Sequence, residues 1–234
     1  MKKFLSMFLC LGLVLGITGC GSSTGGEKES ESSVKTNSEE RQDLKIEETG
    51  WYLSDDTYPY VNYSMKITNP NKNYYVALPQ ISVTSYDADD NILGSTETYL
   101  RPLEPGQTIN FAFQADCNQT APDHVEFKVI NTKKDYRKEK TTTKTIELEA
   151  SNVNVVFDGY WYKITGMAKN TSEQDTKGNP AVCIIFYKEG KMVGGTGTYL
   201  EDMGAGTELA FDAMASQLPD YDEIKTFIYA EVDA

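Results

Sequence analysis

The chain has 234 residues, with 35 acidic side chains against 22 Lys and Arg, for a formal net charge of −13. This balance argues against a nucleic-acid partner, because contacts to phosphate need clustered Lys and Arg. The 15 Tyr and 9 Phe, together with abundant Val, Ile and Thr, favour strands over helices, so we predict an all-β protein.

The first twenty residues have the pattern of an export signal. Lys2 and Lys3 precede an apolar stretch over 4–17, which is too short to remain as a membrane span. Ile17-Thr18-Gly19-Cys20 then resembles the lipobox of bacterial lipoproteins. This resemblance implies that Cys20 carries acyl chains and anchors the protein on the extracytoplasmic face of the cell membrane. An ordinary signal peptide cleaved elsewhere is the alternative.

The segments before the folded part follow from this assignment. Residues 1–19 are the predicted lipoprotein signal peptide, and 20–44 are a lipidated tether with few apolar side chains. A segment of this composition cannot bury a core and is predicted to be flexible. An acidic protein is not attracted to anionic lipid, so the predicted attachment to the membrane is covalent.

The rest of the chain contains one pattern twice. Asn69 and Tyr86 match Asn170 and Tyr187 at a spacing of 101, and Tyr99 then matches Tyr199 at a spacing of 100. A gap confined to one turn is typical of a duplicated domain. We predict domain 1 over 45–133, a basic linker or edge strand over 134–144, and domain 2 over 145–234.

Each repeat has the alternation of half-buried strands. In repeat one, strands are predicted around 61–68, 81–86, 92–100, 109–113 and 125–129, with turns at 69–71, 87–91 and 103–106. In repeat two, the corresponding strands are predicted around 162–168, 182–187, 192–200, 209–211 and 224–232. Short strands at this spacing indicate two β-sandwiches.

These residues also resemble a known family. The segments from Ser82 to Gly94 and from Cys183 to Gly194, each followed by a Leu/Met-x-x-Gly turn, are similar to the bacterial FxLYD-type repeat. The resemblance implies tandem immunoglobulin-like domains of a surface lipoprotein. Repeat one has Thr84-Ser85 where the pattern has larger apolar residues, and a related immunoglobulin-like lipoprotein family is the alternative.

The chain offers little for catalysis. His124 is the only histidine, and the sequence lacks a nucleophile elbow, a phosphate-binding loop and a zinc motif. Cys117 and Cys183 show no metal or disulfide spacing, and Cys183 lies in an apolar run where a free thiol packs as a small hydrophobe. We therefore predict no enzyme and no cofactor or metal, with a hydrolase of unknown type as the third alternative for function.

Two polar groups have a simpler structural interpretation. Asp87, Asp89, Asp90 and Asn91 crowd one turn and superficially suggest calcium, but an Asx-rich hairpin turn explains them. Residues 131–145 carry six Lys and Arg against two acidic side chains. Solvated linker or edge strand is the expected role of this basic segment, and contact with cell-wall polyanions or lipid headgroups is the alternative.

Aromatic groups flank the same predicted strand in both repeats. Exposed aromatic rings are good surfaces for sugars or protein partners, although packing into the core is the commoner role. Trp161 is out of phase with Tyr162 and Ile164, so it is predicted to face away from them. The candidate binding residues are Trp51, Tyr58, Tyr60, Tyr160 and Trp161.

Together these patterns predict a lipid-anchored, non-catalytic binding or structural module at the bacterial cell envelope. Its partner would be a protein or a glycan of the envelope. Recognition of carbohydrate or cell-wall polymer through exposed aromatics is the alternative function.

Overall fold

The computed structural model describes residues 40–54 and 58–234, which exclude Cys20 and the predicted signal peptide. The described chain is all-β, as predicted, apart from a short 3₁₀ turn at Lys133–Asp135. No helix within these residues is long and apolar enough to cross a bilayer. The strands are β1 (Lys45–Leu53), β2 (Tyr60–Thr68), β3 (Tyr75–Val76), β4 (Gln80–Tyr86), β5 (Ile92–Tyr99), β6 (Thr108–Asp116), β7 (His124–Val129), β8 (Tyr136–Arg137), β9 (Thr143–Phe157), β10 (Tyr162–Lys169), β11 (Lys177–Lys188), β12 (Lys191–Tyr199), β13 (Glu208–Ala215) and β14 (Glu223–Asp233).

Repeat one consists of two antiparallel sheets around one core. One sheet has the order β1-β2-β6 and the other β5-β4-β7. Tyr63 and Met65 of β2 and Val83 of β4 belong to this core, and the rings of Tyr63 and Phe127 meet edge to face at 5.7 Å. Alternation in the sequence correctly predicts these strands apart from β1, because apolar side chains facing the core alternate with mainly polar ones on the opposite face.

Repeat two contains the same strands in a single continuous ladder, β12-β11-β14-β9-β10-β13. The long strand β9 makes this possible. Its first part pairs with β14 and its second part with β10, so the ladder folds over on itself. Ile164 and Phe211 from one end then pack against Ile184 and Phe186 from the other end.

Alternation did not predict β1, the change of partner along β9, or the short β3–β8 ladder. β1 has a bulge between Ile46 and Glu48, which interrupts its period of two. β9 changes its partner strand midway, and β3 and β8 form a ladder of only two residues each. Tyr136–Arg137 of the predicted basic linker is therefore an edge strand on repeat one.

The same hydrogen-bond network closes both repeats. The side-chain amide of Asn69 donates to the carbonyls of Tyr74, Leu103 and Glu104 at 2.8–3.2 Å. Asn170 donates in the same way to Gln174, Met203 and Gly204 at 2.8–3.4 Å. Both asparagines are fully buried. The sequence match between these two residues thus reflects a shared structural role.

The two repeats pack against each other through β12, which lies on the outer face of the β1-β2-β6 sheet. Gly195 and Gly197 allow this approach, because a Cβ on Gly195 would lie 2.6 Å from Cβ of Ala112 and one on Gly197 would lie 2.7 Å from the carbonyl oxygen of Ala112. Polar contacts add to the interface. Arg101 pairs with Glu231 at 2.9 Å, and the amide of Asn110 donates to the Tyr229 hydroxyl at 3.1 Å.

This packing explains the apolar run Ala181–Tyr187. Val182, Ile184 and Phe186 face the core of repeat two, whereas Cys183 and Ile185 join the core cluster of repeat one. Cys183 is buried as predicted, and burial raises the pKa of its thiol to about 12. The division into two separately folding domains stays a prediction, and the structure shows that the described residues, 40–54 and 58–234, belong to one compact unit.

Candidate functional site: an aromatic cleft between the repeats

A cleft opens where the β1–β2 end of repeat one meets the β9–β10 end of repeat two. It has a volume of about 310 Å³, at the lower end of the range of about 300–1,000 Å³ that is usual for ligand sites. We call it the junction cleft. Its lining residues are Ser54, Tyr58, Tyr60, Gln114, Trp161, Met214, Ala215 and Ser216.

Three of the five aromatic residues singled out in the sequence meet in this cleft. Tyr58, Tyr60 and Trp161 are 61%, 45% and 48% exposed, although aromatic side chains of this size are commonly buried. Trp161 faces outward, as its phase predicts. Tyr60 and Trp161 also occupy equivalent positions in the two repeats, separated by the repeat spacing of 101.

The other two aromatic residues lie elsewhere. Tyr160 is 85% exposed on the β9–β10 turn but does not line the cleft. Trp51 is half-buried, pairs with Tyr63 across the β1–β2 ladder and packs against the core of repeat one. The structure therefore does not bring Trp51 and Tyr160 together with the three cleft aromatics.

The repeat-one side of the cleft is held by a short set of hydrogen bonds. The Ser54 amide donates to the Tyr60 carbonyl at 2.9 Å, and the Tyr60 amide donates to the Ser54 hydroxyl at 3.0 Å. The buried Cys117 thiol donates to the Pro59 carbonyl at 2.9 Å. Burial raises the pKa of this thiol, so Cys117 supports the Tyr58-Pro59-Tyr60 segment as a neutral donor.

The repeat-two side is held by Asp158. Its carboxylate accepts the backbone N–H groups of Trp161 at 2.8 Å and Tyr160 at 3.0 Å. These two bonds lower the pKa of Asp158. The carboxylate that holds the Trp161 turn therefore stays charged at pH values below the ordinary pKa of aspartate. The Ser216 hydroxyl donates to the Ser54 carbonyl and so joins the two sides of the cleft.

Sequence reasoning missed the polar and sulfur-containing part of the lining. Gln114 and Met214 are equivalent residues, one hundred positions apart, on β6 and β13. The repeat alignment contained part of this signal, because it makes Gln114 equivalent to Met214 and Tyr60 equivalent to Trp161. The alignment does not show that the two repeats pack with these residues on the same side of the molecule.

The residues considered for catalysis or metal binding have other contacts. His124 stacks on Tyr86 with ring centroids 5.0 Å apart, and its ring nitrogens lie 3.4 Å from Asp123 and 3.7 Å from Asp90. The Asp87 carboxylate accepts the amides of Asp89 and Asn91, which is the geometry of an Asx turn. Over the described ranges, no three His, Cys, Asp or Glu side chains are grouped to hold a metal ion.

Comparison with known proteins adds no relative to this description. No family model matches the chain, and no curated protein matches its sequence significantly.

Proposed function

We propose that this chain is a lipid-anchored, extracytoplasmic, non-catalytic binding module of the bacterial cell envelope, and that the junction cleft is its binding site. Its two halves are proposed to be immunoglobulin-like domains of the FxLYD type. The observation that carries the binding proposal is the meeting of Tyr58, Tyr60 and Trp161 from both repeats in one exposed cleft. Exposed aromatics beside polar groups mark interaction sites on soluble proteins.

The position of the cleft supports this function. Lys45 begins β1, and Ser54 of the cleft follows the other end of this strand. Nine extended residues span about 30 Å. A chain anchored through Cys20 would thus enter the fold at one end and present the cleft at the other, away from its attachment.

The lining of the cleft favours a carbohydrate or cell-wall polymer as the ligand. Flat aromatic faces match the apolar faces of sugar rings, and an exposed side-chain amide such as that of Gln114 can bond to sugar hydroxyls. A few polar groups among aromatics are also the usual composition of a small-molecule site. This combination is the specific support for glycan over protein as the ligand.

The binding proposal is tested by sedimenting the full chain with purified peptidoglycan. Trp161→Ala and Tyr60→Ala should weaken binding by about tenfold or more, as expected when a central aromatic contact is lost. Tyr160→Ala is the matched control, because this ring is more exposed than either but lies outside the cleft. Equal retention by all four proteins would exclude the junction cleft as the glycan site.

The anchor is tested separately at Cys20, which lies outside the described residues. Acyl transfer requires the thiol, so Cys20→Ser should abolish acyl labelling in cells and block normal signal maturation. Labelled, membrane-bound mature protein in that variant would refute the lipoprotein assignment while leaving the cleft proposal intact.

A further inference from the structure

Five exposed cations form a patch on the basic segment. Lys133 and Lys134 lie on the 3₁₀ turn, Arg137 on β8, and Lys138 and Lys140 directly after it. Among the residues that the structure describes, none of the five makes an ion pair within 4 Å. We call these residues the basic patch. Other cations of this acidic chain, such as Lys66, Lys128 and Lys225, are paired with carboxylates.

The basic patch is fixed to the point where the chain enters the fold. Tyr136, in the middle of the patch, is buried, and its hydroxyl accepts the Leu44 amide at 2.9 Å. The Arg41 guanidinium lies over the same ring at 4.5 Å, and the Lys138 ammonium lies over the Tyr74 ring at 5.5 Å. The patch is therefore adjacent, through Tyr136, to the residues that immediately precede β1.

Nearby carboxylates leave a local positive surplus. Asp135 accepts the amide and hydroxyl of Thr132 at 2.6 and 2.9 Å, and Asp43 pairs with Arg41 at 2.7 Å. Glu139 is the remaining acid within the patch sequence. The chain as a whole is strongly acidic, so its charge is separated between this end and the rest of the fold.

We propose that the basic patch contacts the anionic phosphate headgroups of the membrane that anchors the chain. The contact orients the fold, with the patch on the lipid and the junction cleft at the far end of β1. This inference rests on the proposed anchor at Cys20, because the anchor places this end of the fold next to the bilayer. Each Lys or Arg close to an anionic surface strengthens attraction about fivefold, whereas the acidic remainder is repelled.

The test uses the chain from residue 20 onward with Cys20→Ser, so that neither acyl chains nor the predicted signal peptide contributes. Sedimentation is compared between vesicles of phosphatidylcholine and vesicles of equal parts phosphatidylcholine and phosphatidylglycerol. The patch variant combines Lys133→Gln, Lys134→Gln, Arg137→Gln and Lys138→Gln. The control combines Lys163→Gln, Lys169→Gln, Lys177→Gln and Lys191→Gln, which removes the same charge from exposed sites outside the patch.

The proposal predicts stronger binding to the anionic vesicles, reduced about tenfold or more in the patch variant and nearly unchanged in the control. Circular dichroism of both variants verifies that they fold. Equal losses in the two variants, or no preference for anionic vesicles, would overturn the proposal. So would patch-dependent binding to soluble polyphosphate with no vesicle preference, which would assign the patch to a phosphate polymer. Acylation of Cys20 is tested separately by acyl labelling of the unmodified chain. Failure of the anchor proposal and failure of the basic-patch proposal can therefore be distinguished.

Discussion

Asn69 and Asn170 show how a single side chain can close a turn. Each buried amide donates to three backbone carbonyls, and its oxygen accepts from a residue two positions later, Asn71 or Ser172. These carbonyls lose a donor when the fully buried asparagine is replaced by alanine. The cost of a buried polar group without a partner is about 1–3 kcal/mol.

Asn69→Ala and Asn170→Ala should therefore each lower the free energy of unfolding by about 1–3 kcal/mol, measured by urea denaturation. Asn179→Ala is the control, because this exposed residue bonds through its backbone oxygen. If both buried variants unfolded like the control, the network would be incidental to stability.

Phe211 and Trp161 should respond differently to truncation. Phe111 and Phe211 are both 4% exposed, as their phase in the sequence predicts, whereas Trp161 is about half exposed. Phe211→Ala leaves a cavity and should cost about 3–5 kcal/mol. Trp161→Ala should cost less than about 1 kcal/mol, as is usual for a surface change. Thermal melting compares the two, and equal losses would place Trp161 in the core and remove the basis for the junction cleft.

At the scale of the element, β4 and β11 have the same place in their repeats but different outer faces. β11 carries Cys183 and Ile185 outward against repeat one, and β4 carries Ser82 and Thr84 at the equivalent positions, facing solvent. This is why repeat one departs from the apolar pattern at Thr84. A contact that joins two different surfaces of a repeat can continue from copy to copy. The outer face of β4 is polar, so repeat one does not offer a second apolar surface for such a contact.

This comparison also shows what the sequence could and could not predict. Alternation and the two glycine turns predicted most strands, because apolar side chains facing the core alternate there with polar ones. The continuous apolar run of β11 indicates burial on both faces, but it does not indicate which sheet packs against the outer face. The junction cleft needed that missing contact, since Tyr60 and Trp161 are 101 residues apart and meet only when the repeats pack.

Strand β12 depends on its glycines for the close approach to repeat one. Gly197→Ala would place a Cβ within 3 Å of the Ala112 and Val182 carbonyl oxygens, so the backbone must shift. The variant should be destabilised by about 1–3 kcal/mol, typical of overpacking, as measured by urea unfolding.

Gly204→Ala is the matched control for this substitution. Its Cβ would lie 3.3 Å from a methyl group of Thr207, away from the interface, and the effect should be smaller. Equal effects of the two changes would mean that the contact between the repeats is not tight at β12.

At the scale of the whole molecule, the shared interface couples the two repeats. Fragments 45–133 and 145–234 are predicted to fold separately, because each has its own core and turns. Each should nevertheless unfold at lower urea concentration than the full chain, since Cys183, Ile185 and Tyr229 lose their cover in the second fragment. Absence of cooperative unfolding in both fragments would contradict the two-domain division.

Ligand binding by the junction cleft is proposed to depend on Trp161. The chain has two tryptophans, and Trp51 packs against the core, so a full chain with Trp51→Phe reports the cleft alone by its fluorescence. Titration with a soluble oligomer of N-acetylglucosamine should change the Trp161 emission saturably, and Tyr60→Ala in the same background should shift the midpoint by about tenfold or more. Unchanged Trp161 emission under conditions where calorimetry detects oligomer binding would contradict binding at the junction cleft.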